Sequence, residues 1–102
     1  MSDKLRDGET DYLFQAILSL KSLDECYAFF EDVCTVSELK AMSQRMAVAK
    51  LLYQEKTYAE ISQLTGASTA TISRVNRCFA YGQDGYKIAL KNLSEPHEGP
   101  QD

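Results

Sequence analysis

Three segments of this chain open with the same pattern, a hydroxyl residue followed three positions later by glutamate: Ser22-Leu-Asp-Glu25, Thr35-Val-Ser-Glu38 and Thr57-Tyr-Ala-Glu60. In such a capping box the hydroxyl accepts from the backbone amide of the glutamate, and the carboxylate returns a bond to the amide of the capping residue. Apolar residues at helical spacing follow each one, so the pattern predicts three helix starts. Both prolines, Pro96 and Pro100, fall within the last seven residues and leave the body of the chain free for long helices. An all-α fold is expected, and 102 residues support one domain, drawn here over residues 1–93.

Periodicity places the helices. The first is expected over residues 9–20, with Leu13, Ile17 and Leu20 on one side and Tyr12, Phe14 and Leu18 on others. The second, over 23–33, carries Leu23, Cys26, Tyr27, Phe30 and Val33, with Phe29 off that stripe. The third, over 36–54, runs through Leu39, Met42, Met46, Ala49 and Leu52, and Val48 and Leu51 widen its face. Helices apolar on several sides need more than one neighbour. In so short a chain the surplus favours a second subunit over a compact monomer. Residues 94–102 are polar and aperiodic and read as a disordered tail.

Several classes of function find no support. No apolar run approaches the roughly 20 residues of a membrane span, and the charged start Met-Ser-Asp-Lys-Leu-Arg-Asp is unlike a signal peptide, so a cytoplasmic protein is expected. Cys26, Cys34 and Cys78 are odd in number and lack metal-ligand spacing; Cys26 and Cys34 read as small buried hydrophobes. The one histidine, His97, lies in the tail, so no metal site is expected. No nucleophile–base pairing stands out, and the chain reads as a non-enzyme.

The net charge of −4 conceals segregation. Residues 1–36 carry −5, residues 37–91 carry +4 and the remainder −3. Within the positive part, a short helix over 58–65 holds Ile61 and Leu64 on one side, and Gly66 then ends it. A further helix starts near Ser68 and turns Ile72, Val75 and Phe79 inward. Two short helices joined by a glycine-containing turn form a helix-turn-helix, here about 58–79. On the second helix Thr69, Ala70, Ser73, Arg74 and Arg77 fall opposite the apolar sector, and no acidic residue occurs from Gly66 through Gln83. Short side chains permit close approach to a major groove, and arginine can read guanine or clamp phosphate.

The stretch Gly66-Ala-Ser-Thr-Ala-Thr-Ile-Ser-Arg74 resembles the helix-turn-helix of the Trp repressor superfamily. Together with Ser37–Arg45, Lys50-Leu-Leu52 and Tyr81–Leu90, it is similar to the YerC/YecD branch of Trp repressor-like proteins. The resemblance implies about six helices, an intertwined homodimer, and two heads presented to successive major grooves of a near-palindromic operator on double-stranded DNA. It implies a transcription regulator, a repressor by that analogy. Residues 69, 70 and 73 match positions that face bases, and Ala59 and Ser62 match positions near DNA. The expected DNA-binding set is Ser68 at the helix start, Thr69, Ala70 and Ser73, Ser62 on the first helix, and Arg74, Arg77 and Lys56 as phosphate contacts.

The resemblance also raises a corepressor pocket. One pocket arginine aligns with Arg74. The second falls on Gln44 without gaps and reaches Arg45 only with a one-residue shift. Val75 replaces a pocket glycine and adds bulk where an indole would lie. Tryptophan is therefore not expected as a ligand, and either another small corepressor or none is. The acidic first third keeps a second reading open, a Trp repressor-like protein-interaction module without DNA binding.

Overall fold

The computed structural model describes residues 2–94. Among them are six α-helices and no strand: α1 Gly8–Leu18, α2 Leu23–Val33, α3 Val36–Tyr53, α4 Tyr58–Thr65, α5 Thr69–Tyr81 and α6 Gly85–Ser94, preceded by a 3-10 turn at Ser2–Leu5. The expected tail lies outside the described residues except for Ser94, which ends α6.

The capping boxes at Thr35 and Thr57 form in full. The Thr35 amide donates to Glu38 over 2.8 Å while the Glu38 amide donates to Thr35 Oγ1 over 3.1 Å, and Thr57 and Glu60 repeat both distances. The third box is half made. Ser22 Oγ accepts from the Glu25 amide, but the Glu25 carboxylate takes the amide of Lys21 in place of that of Ser22. Helix α1 ends two residues earlier than its periodicity suggests. The Ser19 hydroxyl bonds the Ala16 carbonyl at 2.6 Å, and the Ser19 amide is shared between the carbonyls of Gln15 and Ala16, which closes the helix before Leu20. Its start is fixed by Asp7, whose carboxylate accepts from the Thr10 amide at 2.7 Å.

The described residues divide into two compact units, one up to Leu39 and the other from Lys40 onward. In the first unit neither α1 nor α2 has a fully buried residue. Cys26 and Cys34 are half-buried free thiols, less enclosed than expected. Phe29, expected off the α2 stripe, is half-buried, its ring edge-on to Phe30 at 5.3 Å. Tyr12, Leu18, Leu23 and Tyr27 remain exposed.

The second unit owns the core. Val48 and Ala49 of α3, Ile61 of α4, Ala67 of the turn, Ile72 and Val75 of α5, and Leu90 of α6 are buried together. Tyr53, Phe79 and Tyr86 stack in series, with ring centroids 6.5 and 6.0 Å apart, and join α3, α5 and α6. Between α3 and α4 the chain reverses through Glu55 at φ 63°. The Lys56 amide bonds the Leu51 carbonyl and the Glu55 amide that of Leu52, which satisfies two helix-end carbonyls.

The box at the head of α4 has a pH signature. The Thr57 amide and then its hydroxyl, aided by Lys56, hold the Glu60 carboxyl below its ordinary value of 4.5. A carboxyl depressed in the folded state stabilises it above the unfolded pKa, and the contribution disappears as pH falls through the folded value. The gap between the melting midpoints of wild type and Glu60→Ala is therefore expected to be widest at neutral pH and to close in acid. A gap constant down to pH about 3 would refute this role.

Candidate nucleic-acid interface

The two helices of the head are set by their ends. Helix α4 stops at Gly66, which takes the left-handed conformation (φ 75°, ψ 4°) and donates its amide to the Ser62 carbonyl at 2.8 Å. A side chain there would meet open space, so glycine is favoured by the backbone conformation rather than by crowding. Ala67 follows as a buried plug. Ser68 caps α5, its Oγ accepting from the Thr71 amide and donating to Thr71 Oγ1, both at 3.1 Å. Gly82 ends α5 where a Cβ would come within 2.6 Å of the Cys78 carbonyl oxygen, which excludes larger residues without a backbone shift.

This frame turns Ile72 and Val75 fully inward, with Phe79 half-buried beside them. At about 100° per residue, Ala70, Arg74 and Arg77 face the other way. Ser68, Thr69, Ala70, Arg74 and Arg77 are exposed, and Ser73 is half-buried at the margin. Ser62 on α4 and Lys56 before it are exposed too. Among the described residues neither Arg74 nor Arg77 enters an ion pair, so both guanidinium groups are available to an anion. Leu64, expected inward beside Ile61, is 67% exposed while Ile61 is wholly buried. The two residues lie about 60° apart around α4, and the sector that meets the core takes in Ile61 but not Leu64.

One contact of the head carries no signal in the sequence. Asn76 of α5 donates its side-chain amide to the Tyr58 hydroxyl on α4 at 3.1 Å, bracing the two helices 18 positions apart. Tyr81, 85% exposed, lies one and two turns beyond Arg77 and Arg74 on the same face. The helical spacing 74, 77, 81 could have revealed that alignment. These residues, with Cys78 and Gly82, line an open groove of about 300 Å³. Arg74 thus borders a groove, but Arg45, half-buried on α3, does not line it. Gln44 points to the Thr65 carbonyl.

A short capped helix, a left-handed glycine and a second helix with a basic, hydroxylated outer face define the helix-turn-helix class. The profile of the Trp repressor protein family matches residues 8–94, and the chain belongs to that family. It is 55% identical over 93 residues to the uncharacterized protein YerC of Bacillus subtilis (strain 168), covering 91% of this chain and 89% of that one. Among solved structures it is similar to a TrpR-like protein from Eubacterium eligens ATCC 27750 (54% identity, TM-score 0.87, 94% of this chain and 99% of that one). It is also similar to a candidate Trp repressor from Staphylococcus aureus (49% identity, TM-score 0.88, 95% and 98%). The fold is Trp repressor-like and the chain falls with the YerC-like branch.

Proposed function

We propose that this protein is a sequence-specific DNA-binding transcription regulator, a repressor by family analogy, acting as a homodimer through the α4–α5 head. The observation that carries this reading is the outer face of α5, where two unpaired arginines stand beside small residues on a helix whose inner face is locked into the core. Arg74, Arg77 and Lys56 position the head on phosphates, and Thr69, Ala70 and Ser73 meet the bases, directly or through water. The exposed apolar residues of α1 and α2 favour a second copy as their cover. Two heads in such a dimer suit half-sites about 34–36 Å apart. If a small corepressor acts, the groove beside Arg74 is its place; Val75 is buried in the core and does not line that groove, so it sets no steric limit on what enters.

Selection of bound sequences from random duplex DNA, with the bound species sized, tests the proposal. An enriched palindrome held by a dimer supports it. Absence of enrichment, with or without added cell metabolites, favours the interaction-module reading that the acidic first third suggests. Arg77→Ala is expected to weaken binding to selected and unrelated DNA alike. With two heads engaged, the slope of log K against log salt should flatten by roughly 2. An unchanged slope would remove Arg77 from the phosphate contacts.

A further inference from the structure

The turn that sets α5 is tied to α3 by a side chain outside the head. Gln44 Nε2 donates to the carbonyl of Thr65 at 3.3 Å in a half-buried contact. Thr65 is the last residue of α4, and the final carbonyls of a helix have no partner along its axis. The same residue bonds twice more: its hydroxyl donates to the Ile61 carbonyl at 2.7 Å and accepts from the Ala67 amide at 3.1 Å. Ser68 then caps α5. An ordered set of polar contacts therefore runs from α3 through the turn to the residue preceding Thr69.

The turn needs such fastening. Gly66 is the most permissive residue type, and open space surrounds its Cα on the side-chain face. Sterics alone do not confine it. Burial of Ala67, Ile72 and Val75 keeps α5 on the core, but apolar contacts are non-directional and tolerate small rotations and slides. A hydrogen bond to a specified carbonyl is directional.

We propose that Gln44 is a positioning residue for DNA reading: its amide holds the Thr65–Ala67 turn against α3 and so fixes where Thr69 and Ala70 meet the bases. The inference rests on the DNA-binding reading above. If losing the amide leaves each head in its competent arrangement about one fifth of the time, affinity falls about fivefold per head. For a dimer engaging two heads the loss is roughly 25-fold.

The experiment uses the full chain and the DNA site that wild type selects. Gln44→Met keeps the stem and removes the donor; Gln44→Glu keeps the shape but, ionised, offers only acceptors to a carbonyl. Both are expected to lose affinity at a temperature where melting curves show them folded, with the salt slope unchanged because no phosphate contact is removed. In the free protein, exchange of the Ala67 amide should quicken while that of Val75 does not. Gln44→Lys, which restores a donor, should slow Ala67 exchange again. Gln44→Met and Gln44→Glu variants that bind within about twofold of wild type with unchanged Ala67 exchange would overturn the positioning role alone. Failure of wild type to enrich any DNA would overturn the DNA-binding reading, and this proposal with it.

Discussion

Ile72→Ala is expected to cost about 3–4 kcal/mol, most of the stability of a unit this small. Ile72 has no exposed surface and lies among Val48, Ala49, Ile61, Ala67, Val75 and Leu90, on four helices and the turn between α4 and α5. Truncation removes three carbons of buried apolar volume and leaves a cavity that neighbours anchored on separate elements cannot close. Typical domains are stable by only about 5–15 kcal/mol, and a core of seven buried residues among those described lies toward the lower end. Urea unfolding at fixed protein concentration measures the effect, because association would otherwise shift the midpoint. A loss below about 1 kcal/mol would mean that α5 is held by something other than this core.

Ala70→Glu, two positions away, is expected to do the opposite. Ala70 is exposed on the outer face of α5, so the substitution displaces no packed atom. A carboxylate in the first turn of a helix is mildly favoured by the helix dipole, and the melting midpoint should hold or rise slightly. DNA binding should collapse. A longer, negatively charged side chain would stand where the helix is proposed to approach a polyanion, at a cost of about 1–3 kcal/mol per head and so about 30-fold or more for two. Titration of the selected duplex measures it. Wild-type affinity in a folded Ala70→Glu protein would move the DNA-reading face elsewhere. Together the two substitutions separate the face that folds the head from the face proposed to read DNA.

Most helix starts were legible because capping is local chemistry. Thr35 with Glu38, and Thr57 with Glu60, lie three residues apart, and their reciprocal bonds follow once the helix forms. Gly66 could be read as the break between α4 and α5 for the same reason, since its left-handed backbone suits a residue without a Cβ. The outer face of α5 was legible too, because an amphipathic helix sorts its residues by angle alone. Asp7 as the cap of α1 and the early stop at Ser19 were local as well, but they compete with an apolar pattern that continues to Leu20.

What a helix buries is a different matter when more than one of its sides is apolar. Leu64 and Ile61 share a side of α4 by spacing, yet one is exposed and the other enclosed; Phe29 is half-buried while Leu23 and Tyr27 of the expected stripe are exposed. Gln44 with Thr65 and Asn76 with Tyr58 meet across 21 and 18 positions, a separation no periodicity encodes. The sequence alone determined where the helices begin, where the head turns, and which face of α5 is polar and basic. Those outcomes depend on bonds and angles within a few residues. Only the tertiary structure decided which apolar side chains form the core and which polar ones brace the head, because burial and long-range hydrogen bonds depend on which elements meet in space.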